Sequence, residues 1–144
     1  MSCLLAGILF LVTCGRAQPF GDMAMLAPAQ HRALVSSVEF TPGNVGWAYP
    51  SDGRLILPDL PETWTILHEI GHLVSYSSPR GEQLLAKWKA IFSPSDAPTE
   101  YGRSSMYEDF AESYRLALTG ELQARDARRN DWMQKYALSE TVKT

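Results

Sequence analysis

Two histidines with a glutamate between them, in His68-Glu69-Ile70-Gly71-His72, are the side chains of this 144-residue chain best spaced for chemistry. The segment fits H-E-x-x-H, a pattern that binds zinc from a helix and keeps a general base beside the metal. Residues i and i+4 share a helix face one turn apart, so one Zn²⁺ can bridge both imidazoles. Glu69 falls about 100° further round, which suits a group that handles water rather than one that ligates. Two of the chain's three histidines lie in this segment, so chance placement is the poorer explanation.

Two imidazoles do not complete a catalytic zinc site, which takes three protein ligands and leaves a fourth position for water. The remaining histidine, His31, is far upstream and has no motif around it. Carboxylates in Tyr107-Glu108-Asp109-Phe110-Ala111-Glu112 are the better source. Glu108 and Glu112 occupy i and i+4 of a helix, and Phe110 and Ala111 point to the core. A helix packed on the motif helix could bring Glu108 to the zinc and set Glu112 against the far nitrogen of a ligand histidine. The competing reading is an exposed pair on a solvated helix face.

The elements that must position these residues read as strands first and helices after, an α+β arrangement. Gln18 to Pro28 reads as an irregular lead-in, and Gln30 to Val35 as a short helix or the approach to a strand. Leu34 to Phe40 has strand character and stops at Thr41-Pro42-Gly43. Val45 to Tyr49 and Arg54 to Leu57 flank Pro50-Ser51-Asp52-Gly53, which predicts a β-hairpin. The motif helix is expected to start at an Asp59 N-cap with Glu62 as its capping-box partner. Trp64, Leu67, Gly71 and Val74 form one apolar stripe, with Ile66, Ile70 and Leu73 beside it, so this helix should be buried. Gly71 costs about 1 kcal/mol there relative to alanine, and close approach of another backbone would explain it. Further helices are predicted over Gly81 to Phe92, Met106 to Leu118 and Glu121 to Tyr136. The Arg125-Asp126-Ala127-Arg128-Arg129 stretch reads as a solvated charged face.

His68, Glu69 and His72, followed by Tyr101 and by Glu108-Asp109-Phe110-Ala111-Glu112, resemble the small zincin metallopeptidases of the gluzincin type. The anthrax lethal factor catalytic-domain family and the Pro-Pro endopeptidases are the groups most alike. In them the third ligand is the first glutamate of an E-x-x-A-E-like helix, and a tyrosine seven residues before it faces the reacting carbonyl. Tyr101 holds that position relative to Glu108, and the likeness runs from about Gly46 to Leu118. It implies a small zincin-like metalloprotease domain, a short β-sheet followed by an active-site helix and a glutamate-bearing helix. It also implies one Zn²⁺ per chain on His68, His72 and Glu108, with Glu69 as acid–base and Tyr101 as oxyanion donor. Taken without the spacing, Tyr101 is a packing or surface tyrosine. An edge strand over Val45 to Tyr49, with Gly46 and Trp47 near the cleft, would pair with extended peptide; an ordinary core hairpin is the alternative.

Composition bounds the rest. At 45% apolar and 20% charged, the chain fits one domain, expected over residues 18–144. A net charge of −3 argues against nucleic acid. Leu4 to Val12 is an apolar run too short to span a membrane, followed by Gly15-Arg16-Ala17, so residues 1–17 read as a signal peptide. A lipid on Cys14, within Leu11-Val12-Thr13-Cys14, and a buried N-terminal element are the other readings. Export to the periplasm or exterior follows if the leader works, and a cytoplasmic location if it does not. The expected partner is a peptide or protein substrate, with no nucleic acid, no membrane unless Cys14 is lipidated, and a monomeric state. The function so implied is zinc-dependent endopeptidase activity. Its rivals are a zinc-binding interaction module without turnover and a helical domain with a chance motif.

Overall fold

Along the chain the apolar spacing shifts from the period of a strand to that of a helix, and the structure shifts with it. The computed structural model describes residues 19–76 and 79–139. It is α+β: two short helices, α1 (Pro19–Ala24) and α2 (Ala29–Arg32), lead into a three-stranded mixed sheet, and helices make up the remainder. The lead-in is therefore largely helical rather than irregular. The expected leader and Cys14 lie outside the described residues. Among the described residues no helix is long and apolar enough to cross a membrane.

The strands are β1 (Ser37–Thr41), β2 (Trp47–Tyr49) and β3 (Arg54–Pro58), in the order β1-β3-β2. The expected hairpin forms, with Trp47 opposite Ile56 and Tyr49 opposite Arg54. β1 pairs with β3 in parallel, Val38 opposite Leu55, which leaves β2 as an edge. Leu55 and Leu57 are fully buried and alternate with half-buried Arg54 and Ile56, so one sheet face meets the core. Residues 34–36, expected in the first strand, instead wrap the hairpin turn. Gly53 has φ +70° there, and a Cβ on it would stand 2.3 Å from the Leu34 carbonyl oxygen.

Helix α3 (Thr63–Tyr76) carries the histidines and is buried around its whole circumference from Thr65 to Gly71. Its start lies beyond the expected Asp59 cap. The Asp59 N–H donates instead to the Thr41 carbonyl, and the Glu62 carbonyl accepts from Thr65 and Ile66. Trp64 is 43% exposed and so leaves the apolar stripe assigned to it. Helix α4 (Pro79–Ile91) brings Trp88 into an aromatic cluster with Phe92, Phe110 and Trp132. Helix α5 (Met106–Leu118) carries the glutamates and packs on α3 where Gly71 meets Ala111. A Cβ on Gly71 would come within 3.0 Å of the Ala111 Cα, the close approach its helix-interior cost called for.

The tail folds into α6 (Leu122–Arg125), α7 (Ala127–Trp132) and a π turn over Met133–Ala137 rather than one helix. Arg125, Ala127 and Arg128 are exposed as a solvated face requires, but Arg129 departs from it at 2% exposed. Its guanidinium donates to the carboxylates of Asp96, Asp109 and Asp126 at 3.0, 3.0 and 2.7 Å, and to the Ser93 carbonyl at 2.9 Å. A buried guanidinium is tolerated where both terminal nitrogens are so matched, although Nε is buried without a hydrogen-bond partner.

Candidate metal centre

Each element contributes one face to the centre. α3 presents His68 and His72 a turn apart, their rings 4.7 Å between centroids and nearly perpendicular. α5 begins at Ser105, whose hydroxyl accepts from the Glu108 N–H at 3.2 Å, so the cap fixes the backbone of the first glutamate. Where the two helices touch, one ligand atom each from His68, His72 and Glu108 falls within 4.8 Å of the others. This group could hold a metal ion.

Oε2 of Glu108 tests that fit. It is buried without a hydrogen-bond partner, yet lies 2.9 Å from Nε2 of His68 and 3.3 Å from Nε2 of His72. Ligands held at about 2.1 Å from a tetrahedral zinc stand about 3.4 Å apart. The 3.3 Å pair has that spacing and the 2.9 Å pair is tighter, and an Oε2 that two imidazole nitrogens approach without a hydrogen bond is placed to share a cation with them. Charge agrees: of the carboxylates of Glu69, Glu108 and Glu112, Glu112 is the one that the guanidinium of Arg115 meets, leaving an imbalance that a divalent ion offsets. The His₂Glu donor set is one that zinc takes in hydrolytic sites.

The outer contacts orient the inner ones. Nδ1 of His68 lies 2.7 Å from Oε1 of Glu112, which places the ring proton on Nδ1 and leaves Nε2 a lone pair. Arg115 grips the same carboxylate through Nε and Nη2, at 2.7 and 2.8 Å, and Thr99 Oγ1 donates to it at 2.7 Å. Burial alone would raise the Glu112 pKa, but hydrogen bonds from His68, Arg115 and Thr99 hold it down at about 2. Burial would likewise raise Glu108, and the two imidazoles hold it at about 2. For His68, burial disfavours the cation, but the carboxylates of Glu108 and Glu112 outweigh it and raise the pKa to about 9. The field at this point favours positive charge.

Glu69 sits beside the group without joining it. Its pKa is raised, first by burial, against the lowering pull of the two histidines. A carboxylate moved toward neutrality is one suited to take and return a proton. Gly46 backs onto it so closely that a Cβ there would meet Oε1 of Glu69 at 2.7 Å. Tyr101 stands on a 3-10 turn, Tyr101–Ser104, with its ring 5.5 Å from that of His68 and more than half exposed. Its pKa is raised, by burial and then by Glu108, Glu69 and Glu112.

These residues floor an open cleft of about 580 Å³. The β2 edge, Val45 to Tyr49, forms one wall, and Tyr76, Tyr101, Ser105 and Tyr107 form the other, with Glu69, His72 and Glu108 between. Gly46 and Trp47 thus line the same cleft as His72 and Glu108. His31 lies elsewhere, its Nδ1 2.8 Å from the Tyr114 hydroxyl. Sequence reasoning missed Arg115 and Thr99. Arg115 follows Glu112 by three residues on the same helix face and was open to detection; Thr99 carries no local signal. No protein family, curated protein or solved structure matches the chain. The geometry of the centre is therefore what a functional reading has to rest on.

Proposed function

We propose that this protein is a zinc-dependent metalloendopeptidase. The observation that carries the reading is the meeting of His68, His72 and Glu108 at a cleft that His72, Glu108 and the buried Glu69 carboxylate line. Metal storage or structural binding has no use for a perturbed carboxylate beside the ligands, nor for a tyrosine facing them across open space.

His68, His72 and Glu108 hold the ion, with Glu112 fixing the His68 ring. Zinc so held supplies a Lewis acid that polarises a carbonyl and lowers the pKa of water toward about 7. Glu69 accepts the proton of the attacking water and passes it to the leaving amine nitrogen, base first and acid second. The Tyr101 hydroxyl stays protonated at neutral pH and donates to the developing oxyanion. An extended peptide adds to the free edge of β2, where Gly46 lets its backbone pass close to Glu69 and Trp47 flanks it. The apolar run Leu4 to Val12, ahead of Gly15-Arg16-Ala17, makes an exported location part of the same proposal.

A peptide library incubated with and without chelator, on the parent and on Glu69→Ala, tests this. The parent is expected to hold about one zinc per chain and to cleave only with it. Glu69→Ala should keep the zinc and lose cleavage. Cleavage by Glu69→Ala at the parental rate would sink the peptidase reading, and zinc retention with no parental cleavage would favour a binding module.

A further inference from the structure

Tyr101 poses a physical problem. Its side chain is 56% exposed, so core packing does not hold it, yet its proposed role demands placement to a fraction of an ångström. Its ring lies beside His68 and its hydroxyl toward Glu108, and its backbone is held as well. The peptide unit that joins Tyr101 to Gly102 has both polar groups engaged by side-chain hydroxyls. Gly102 N–H donates to Thr99 Oγ1 at 3.0 Å, and the Tyr101 carbonyl accepts from Ser104 Oγ at 2.8 Å. Gly102 is itself buried, and a Cβ on it would meet the Thr99 hydroxyl and the Ala97 Cβ at 3.2 Å.

The Thr99 hydroxyl has one proton to give. Because it accepts from Gly102, that proton goes to Glu112 Oε2, 2.7 Å away. Glu112 Oε1 in turn engages Nδ1 of His68 at 2.7 Å. A continuous chain of hydrogen bonds thus runs from the backbone beside Tyr101, through Thr99 and Glu112, to a ring in the metal group. We propose that Thr99 is a positioning residue that ties the Tyr101 turn to the metal centre, so that ion binding at His68 and placement of Tyr101 reinforce each other. This rests on the peptidase reading for its catalytic consequence, but the structural link it asserts is testable without turnover.

Thr99→Val removes the hydroxyl at nearly constant shape, Thr99→Ser restores it, and Thr99→Ala serves if valine does not fold. Two measurements decide. Amide exchange at Gly102 is expected to slow on zinc addition in the parent and Thr99→Ser, but not in Thr99→Val, where it runs at least about tenfold faster. In peptide cleavage, Thr99→Val should lower kcat about tenfold with KM within about twofold, as for a misplaced group. Its effect should shrink when Tyr101 is already phenylalanine, leaving only what the lost Thr99 bond to Glu112 contributes. Gly102 exchange that ignores the Thr99 substitution would overturn the proposal, as would an undiminished Thr99→Val effect in Tyr101→Phe. Absence of parental cleavage would count against the peptidase reading alone, since the exchange arm still decides the link.

Discussion

Glu112 and His68 are joined at 2.7 Å between Oε1 and Nδ1, although 44 residues separate them in the chain. The bond selects the tautomer in which Nε2 faces Glu108 and His72. Glu112→Ala frees the ring to rotate and removes charge from behind it, while leaving the three ligand atoms in the protein. Zinc affinity is expected to drop about 10- to 100-fold, measured by competition with a chromophoric chelator. Affinity equal to the parent's would show that Glu112 does not orient the ligand.

Gly46 stands where any side chain collides with the Glu69 carboxylate, 2.7 Å from a built Cβ. Gly46→Ala is therefore expected to hold zinc with parental stoichiometry while losing about 10²-fold in kcat, because a displaced base is no longer aligned. Metal analysis and steady-state kinetics on the same preparation separate these two effects. Zinc lost in parallel with rate would place the damage at the ligands instead.

Arg129 is buried against three carboxylates. Arg129→Met leaves the fully buried Asp109 without its cation, and removal of one partner of a buried pair costs about 3–5 kcal/mol. Urea unfolding should show a loss of unfolding free energy of that size, with Asp109→Asn/Arg129→Met recovering part of it. A loss under about 1 kcal/mol would mean the network is as weak as a surface ion pair.

His31 gives stability a pH dependence of its own. Burial, with a smaller push from Arg80, lowers its pKa from 6.5 to about 4 in the folded chain. The unfolded chain therefore takes up the proton first as pH falls. Its contribution is full above pH 6.5 and declines progressively down to about pH 4, a loss of order 3 kcal/mol. His31→Asn should remove that slope, so the difference between parental and variant stability curves isolates it. A difference curve flat across this window would contradict the shift.

What the sequence could reveal was what local spacing encodes. The histidine pair and the Glu108/Glu112 pair are periodic within single helices, and α5 spans Met106–Leu118 as its apolar pattern predicts. The hairpin was equally readable, since its turn residues lie between its strands. Parallel pairing of β1 with β3 was not, because no local pattern names a strand's partner. The α3 start was misjudged because the Asp59 N–H is taken by Thr41, a tertiary contact that outweighs the capping pattern. Arg129 looked like one charge among several. Its burial depends on Asp96 and Asp109, 33 and 20 residues earlier, which no periodicity connects to it.

That arginine has a consequence for the order in which the molecule can be completed. A chain emerging from the ribosome exposes His68, His72 and Glu108 before residue 129 has been made. Until then the Asp109 carboxylate, next to a proposed zinc ligand and fully buried in the finished fold, has no guanidinium to enter the core with. Helix α5 cannot seat cheaply against α4 before the tail arrives. A chain ending at Gly120, which lacks the Arg129 partner of Asp109, is therefore expected to bind zinc more weakly than the full one. In the hydrolase proposed above, cutting would then wait on the last residues of the domain.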